Sequence, residues 1–327
     1  MRKLTFAFAH LLIAATTLGA MSSASANDYP PRTVNMVAPA GAGGGWDLTI
    51  RTVAKTLKDE NLVSSNLPVI NRPGGGGAVN LTFMQTQKGK GDLISVYSPP
   101  ILLTNLTGMT PYSYKDTTPL ARLISDYAAF VVPQDSPYTS INQVMDALKK
   151  DPKSIKIGGI STAGSMDHIQ FLLVAKAAGV KDLRDIDYVS FQDGGVVAQV
   201  LGGHIDLIST GLGDVAGLLE SGKLRALAQT ADKRIGEGAM AKIPTVKEQG
   251  IDVTFENWRG LFGPKDMPKE AVDYWRDALQ KMTETAEWKA AMKRNGWEAA
   301  YQDQAEFEQF LSATNEQYKT LIQEVFR

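Results

Sequence analysis

The chain of 327 residues reads as an α/β protein built as two lobes. Short apolar runs of strand length alternate with amphipathic helical patterns, the signature of mostly parallel sheets covered by helices. Small-residue turns fall where strands give way to helices. At about 300 residues a single core stops growing and chains commonly divide in two.

The first 26 residues stand outside that pattern. Arg2 and Lys3 form a positive start, residues 4–21 are mostly apolar but broken by His10, Thr16, Thr17 and Gly19, and Ala24-Ser25-Ala26 is a small-residue cleavage signal. This predicts an exported protein, cut after Ala26. No other apolar run reaches the ~20 residues of a spanning helix. The absence of cysteine removes disulfides, thiol catalysis, cysteine-ligated zinc and a lipidated N-terminal cysteine. An exported chain without an anchor is retained by an outer membrane, which predicts the periplasm. Loss of Arg2 and Lys3 moves the formal net charge from −1 to −3, so no basic face for nucleic acid is expected.

Strand candidates follow at 33–38, 67–71, 93–98, 121–132, 155–160, 186–191, 205–210 and 225–230. Helical periodicity marks 48–58, 141–150, 166–178, 196–202, 271–283, 287–294 and 305–326, with Asn295-Gly296 as a helix stop. Turns after strands lie at 39–47, 73–79, 161–167 and 192–195, with Ser98-Pro99-Pro100 a fifth. In open α/β sheets, ligands bind outside the carboxyl ends of strands, where such turns lie. Plain tight turns are the alternative for any one of them.

The first turn, Pro39-Ala-Gly-Ala-Gly-Gly-Gly-Trp-Asp47, is the most informative. Glycines let a ligand approach the backbone, and the following helix offers unpaired N–H groups and the positive end of its dipole. The stretch is an anion cradle that a phosphate or a carboxylate could fill. Gly44-Gly45-Trp46-Asp47 is echoed by Gly164-Ser165-Met166-Asp167, so each lobe could present the same device to a shared ligand.

The ordered set of that first turn, Asn71-Arg-Pro-Gly-Gly-Gly-Gly77, Gly159-Ile-Ser-Thr-Ala-Gly-Ser165 with His168, Phe191-Gln-Asp-Gly-Gly195, Leu201-Gly-Gly-His-Ile-Asp206, Gly222-Lys-Leu-Arg-Ala-Leu-Ala228, Ile243-Pro-Thr-Val-Lys-Glu-Gln-Gly250 and Trp258-Arg-Gly-Leu-Phe-Gly-Pro264 resembles the periplasmic receptors of tripartite tricarboxylate transporters, also called Bug receptors. The resemblance covers essentially the whole mature chain. It implies a type II periplasmic binding protein, two α/β lobes joined by two crossover strands with a ligand cleft between them. It places the crossovers near 127–132 and 255–259, lobe one at 27–128 and 257–327, and lobe two at 129–256. It implies a monomeric receptor, not an enzyme, without metal or other cofactor. The receptor would capture a small carboxylate, a tricarboxylate such as citrate first and a dicarboxylate next, and deliver it to integral-membrane permease subunits. Carried over residue by residue, ligand contact falls to Gly43, Gly44, Gly45, Trp46 and Asp47, and to Ser161, Thr162, Gly164, Ser165, Asp193 and Gly194. Ser98, in the fifth turn, joins them as a candidate.

Arg259 departs from the uncharged residue many such receptors carry and resembles the tricarboxylate-binding branch. It either forks onto a second carboxylate or pairs with Asp252 or Glu256 at the hinge. Trp46 either closes over the ligand or packs beneath its loop. Asp47 and Asp167 read as helix N-caps that shape the loops. Arg51 and Arg72 read as solvated or paired with acids.

An exported serine hydrolase is the other class. Gly159-Ile-Ser-Thr-Ala163 approaches a nucleophile elbow, with His168, His204 and Asp206 available for a triad. Its last residue is alanine, and Ser161 precedes both histidines without the expected intervening acid. A metal site lacks paired histidines at ligand spacing, and a dinucleotide site lacks the second half of its glycine fingerprint.

Overall fold

The computed structural model describes residues 29–191 and 195–326. The export segment with its cleavage point after Ala26, and the candidates Asp193 and Gly194, lie outside the described residues.

The chain opens with β1 (Asn35–Ala38), α1 (Gly45–Asp59), β2 (Val69–Asn71), α2 (Ala78–Gln85), β3 (Leu93–Tyr97) and α3 (Pro100–Leu106). β1 lies between β2 and β3 and runs parallel to both. The long β4 (Thr117–Pro133) leads to α4 (Ile141–Lys150), β5 (Ile157–Gly159), α5 (Met166–Ala177), β6 (Tyr188–Ser190), α6 (Val196–Leu201), β7 (Leu207–Gly211), α7 (Leu212–Glu220) and β8 (Leu224–Gln229). There β5 lies between β6 and β7, parallel to both. The chain returns through β9 (Glu256–Pro264) and closes with α8 (Lys269–Glu284), α9 (Ala286–Asn295), β10 (Glu298–Gln302) and α10 (Gln304–Phe326).

The strand order is β2-β1-β3-β9-β4-β7-β5-β6, with β8 and β10 also pairing with β4. From Thr117 to Tyr127, β4 pairs with β9; from Ala128 to Pro133 it pairs with β7 and β8. β4 and β9 are thus the crossover strands that join two α/β lobes. Pairing is parallel inside each lobe, as the alternating pattern predicts, but antiparallel wherever β4 or β9 takes part. These two strands carry the chain between lobes and run against their neighbours.

Period-2 alternation sends successive side chains to opposite faces of each sheet. Met36, Ile94 and Val96 pack with Ile50, Leu57 and Trp275 beneath α1 and α8, while Val37, Leu93 and Tyr97 pack with Leu102, Trp258 and Phe307 on the other face. In the second lobe Phe130 and Val132 join Val144, Leu148 and Phe171, and Ala129 and Val131 join Val200, Ile208 and Leu212. No helix among the described residues is long and apolar enough to cross a membrane.

Candidate functional site

Both halves of the sequence echo are strand–turn–helix units tied by a carboxylate. After β1 the chain turns at Gly43, whose φ of +85° favours glycine. Gly44 is the N-cap of α1. The helix therefore starts at Gly45, ahead of where its apolar period begins, and Asp47 sits inside the first turn instead of capping it. Its carboxylate turns back to accept the Gly43 N–H at 2.9 Å, with Arg51 Nε at 2.9 Å and Asn71 Nδ2 at 2.8 Å on its other oxygen. Burial pushes its pKa up, but the bonds from Arg51, Gly43 and Asn71 together hold it below the ordinary value.

After β5 the turn passes through Gly164, φ +79°, and Ser165 is the N-cap of α5. Asp167 is again within the first turn, not the cap. One of its oxygens accepts the N–H groups of Ile160 and Ser161 at 2.9 Å each, and its own N–H donates to Ser161 Oγ at 2.7 Å. Burial pushes its carboxyl up to about 7 against those bonds. In each unit the first helical hydrogen bond starts beyond the opening residues, from Leu48 to Gly44 and from Ile169 to Ser165. The N–H groups of Gly45, Trp46 and Met166 therefore lie outside the helical ladders, at the positive ends of α1 and α5.

These two helix starts face one cleft of about 100 Å³. It brings together Gly44, Gly45, Trp46, Ser98, Ser161, Thr162, Ser165 and Arg259 of the sequence-predicted residues. Gly43, Asp47 and Gly164 are not in its lining: the first two brace the cradle from behind, and Gly164 lines a neighbouring surface cavity with Leu106 and His168. Trp46 combines its two expected roles. Its indole N–H donates to Ser98 Oγ at 2.9 Å and its ring meets Tyr97 edge-on at 5.7 Å, while the side chain still forms part of the cleft wall.

Arg259 lines the cleft but is only 2 % exposed. Its Nη1 donates to Gly45 O at 3.0 Å and Thr49 Oγ1 at 2.8 Å, and its Nη2 to Asp126 Oδ2 at 2.9 Å, with Asp214 Oδ1 at 3.8 Å. The hinge pairing expected from sequence is corrected: the partners are Asp126 and Asp214, because β9 places the side chain toward α1 and α7. Asp252 instead lies 3.7 Å from Lys247, and Glu256 pairs with Arg122 and Ser125. Burial raises the carboxyls of Asp126, to about 7, and of Asp214 against the pull of Arg259. Gly45 makes this node possible, since a Cβ there would stand 2.9 Å from Arg259 Cζ and 2.9 Å from Asp214 Oδ1.

Sequence reasoning missed Asp214, Asn257 and the cleft-facing role of Asp167's side chain. Asn257 lies opposite Asp126 in the crossover pair. Its only sequence signal is its place beside Trp258-Arg259. Arg51 pairs with Asp47, as read, whereas Arg72 lies over the Phe83 ring at 3.8 Å.

The triad candidates are not assembled. Ser161 Oγ accepts the Asp167 N–H and approaches Tyr188 Oη at 3.4 Å. His168 Nδ1 accepts the Gly164 N–H at 3.0 Å, its ring stacks on Tyr188 at 4.5 Å, and burial pushes its pKa down to about 4. His204 is exposed, and Asp206 accepts the Lys156 N–H at 2.8 Å.

The model of the tripartite tricarboxylate transporter family receptor matches residues 50–326. A UPF0065 protein encoded in the gbd 5′ region of Cupriavidus necator is 26 % identical over 317 residues, covering 95 % of this chain and 93 % of its own. A ligand-free TctC solute-binding protein from Polaromonas is 29 % identical with a TM-score of 0.66, covering 90 % of this chain and 99 % of its own. MatC from Rhodopseudomonas palustris, solved with bound malate, superposes with a TM-score of 0.79 at 18 % identity over 90 % of this chain and 100 % of its own. With two lobes, two crossover strands and paired helix starts on one cleft, the chain belongs to the receptor family of tripartite tricarboxylate transporters.

Proposed function

We propose that this protein is an exported, periplasmic receptor that captures a small carboxylate between its lobes and delivers it, as a monomer, to the permease subunits of a tripartite transporter. The lobes in this reading are 27–128 with 257–327, and 129–256. The observation that carries it is the pair of carboxylate-braced helix starts, at 44–47 and 164–167, on one cleft. A ligand carboxylate accepts N–H and O–H bonds there, each charge-assisted bond contributing ~1.5–3 kcal/mol. Three or four such bonds, less ordering costs, reach roughly the 8 kcal/mol of a micromolar complex. Gly44, Gly45, Trp46, Ser98, Ser161, Thr162 and Ser165 form this receiving surface in the proposal, with Asp193 and Gly194 kept as candidates.

The tricarboxylate preference drew on Arg259 as a fork for a second carboxylate. With Nη1 and Nη2 engaged by Gly45, Thr49 and Asp126, that support is removed, and dicarboxylates stand level with citrate. A thermal-shift screen of the mature protein against mono-, di-, tri- and aromatic carboxylates tests the reading, since a ligand at 100 times its Kd adds about 2.7 kcal/mol. Stabilisation by a sugar or a cation and by no carboxylate would sink it. Ester turnover by the purified protein would instead revive the hydrolase.

A further inference from the structure

Among the described residues, five buried polar atoms with no hydrogen-bond partner belong to residues lining this cleft: Thr162 Oγ1, Ser165 Oγ, Asp167 Oδ1, and both Nδ2 and Oδ1 of Asn257. In proteins generally, buried polar groups are almost always paired, because leaving them unmet is costly. Single unpaired atoms occur elsewhere in the described residues, such as Asn80 Oδ1 and Trp288 Nε1, but here five meet on one cavity. These are held in place. Asp167 is 0 % exposed, its other oxygen fixed by two loop N–H groups, and Asn257 is 1 % exposed on a crossover strand. The two hydroxyls face the opposite wall, where a Cβ on Gly76 would stand 3.4 Å from Thr162 Oγ1 and 3.7 Å from Ser165 Oγ.

The hydroxyls and the Asn257 amide nitrogen are donors that suit a ligand carboxylate. The remaining two groups do not. An ionised Asp167 only accepts, and Asn257 keeps one acceptor whichever way its amide is turned. A ligand made of carboxylates alone would set an anionic oxygen against the Asn257 oxygen and, wherever Asp167 is ionised, against its Oδ1 as well, with the Asp214 carboxyl also in the lining. We infer that the ligand carries a hydrogen-bond donor, a hydroxyl or an ammonium group, beside its carboxylate, and that Asp167 Oδ1 and the Asn257 amide receive it. The inference rests on the carboxylate-receptor reading and narrows it to hydroxy- and amino-carboxylates.

Calorimetric titration of the wild-type mature protein with succinate, L-malate and L-aspartate, which share one skeleton, tests it. Work at pH 8.5 keeps Asp167 ionised, since burial pushes its carboxyl only to about 7. Malate or aspartate should bind about tenfold or more tightly than succinate, the worth of one charge-assisted hydrogen bond, and which of them wins tells hydroxyl from ammonium. Succinate within about twofold of both would overturn the donor requirement while leaving the carboxylate receptor standing. If all three are silent, citrate and tricarballylate, which differ by one hydroxyl, make the same comparison. Silence of all five with stabilisation by a carboxylate that lacks hydroxyl and ammonium groups overturns this inference, and silence of the whole carboxylate screen overturns the receptor reading with it. Asp167→Asn, which can present an amide NH2 in place of Oδ1, should bring the ratio between the donor-bearing ligand and its plain counterpart close to one. An unchanged ratio would remove Asp167 from recognition.

Discussion

Replacing Gly45 by alanine is a test in which helix propensity and the site geometry point in opposite directions. Gly45 is the first residue of α1, and alanine is favoured over glycine within helices by about 1 kcal/mol. Its Cβ, however, would stand 2.9 Å from Arg259 Cζ and 2.9 Å from Asp214 Oδ1 and closer still to Arg259 Nη2. The guanidinium cannot swing aside cheaply, because Gly45 O, Thr49 and the fully buried Asp126 hold it. Forcing it off Asp126 breaks a buried ion pair, which costs about 3–5 kcal/mol, so the net loss is about 2–4 kcal/mol. At roughly 2–4 °C per kcal/mol for lobes of this size, Tm should fall by roughly 5–15 °C in circular-dichroism melts. Gly44→Ala is the control: its Cβ would find nothing nearer than 3.9 Å, and Tm should stay close to wild type. Gly43→Ala, in open space at φ +85°, should lose only the ~1–2 kcal/mol of left-handed backbone strain. A Gly45→Ala protein as stable as wild type, or a Gly44→Ala protein that loses as much as Gly45→Ala, would refute the packing argument.

Three further outcomes follow from the same geometry. Asp47→Ala removes the acceptor for Gly43, Arg51 and Asn71 and should lower stability by about 2 kcal/mol in urea unfolding while weakening ligand binding; unchanged affinity would show that the first loop does not receive the ligand. Trp46→Phe should abolish most of any ligand-induced change in tryptophan fluorescence, because Trp46 lines the cleft while Trp258, Trp275, Trp288 and Trp297 are 0–4 % exposed; a full signal in the variant would place the ligand elsewhere. Asp167 holds its proton in the native state between its ordinary 3.8 and about 7, so its contribution to stability is full below about 4 and is lost as pH rises to about 7. That span of about three units corresponds to about 4 kcal/mol, and the stability of Asp167→Asn relative to wild type should rise by a comparable amount between pH 4 and pH 8. An equal difference at both pH values would show that burial does not raise this carboxyl.

Much of the fold was legible in the sequence because most of its elements announce themselves by period. Helix α4 falls on the predicted 141–150, and β3, β5 and β8 lie within or one residue beyond their candidates. The elements that escaped lack such a signal. In β9, Gly260 and Gly263 interrupt the pattern so that Phe307 and Met267 can pack against bare backbone. β10 is an edge strand whose residues are partly or fully exposed, and α3 begins at a proline pair that reads as a turn. The site divides in the same way. Loops at 39–47 and 161–167 were visible because glycine and serine mark close approach of the backbone. Asn257 and Asp214 were not, since a single polar residue on a strand or helix looks alike whether it faces solvent or a cleft.

Arg259 shows why charge in a sequence is weak evidence about charge at a site. The arginine resembled a fork for a ligand carboxylate, yet the fold turns it onto Asp126 and Asp214, carboxylates of its own chain. Together with Asp167 these put more acidic than basic groups around the cleft, which alone would repel an anion. Burial relieves part of that excess by raising all three carboxyls, Asp126 and Asp167 to about 7. If the ligand is the anion proposed above, its attraction comes from neutral groups at close range: the N–H ends of α1 and α5 and the hydroxyls of Thr162 and Ser165. Their field falls off within about a helical turn, so an anion gains from it only when both loops reach it at once. In the proposed receptor, selectivity for closed over open lobes would follow from the choice of dipoles over a free cation, because a guanidinium exposed on one wall would hold a carboxylate with the cleft still open.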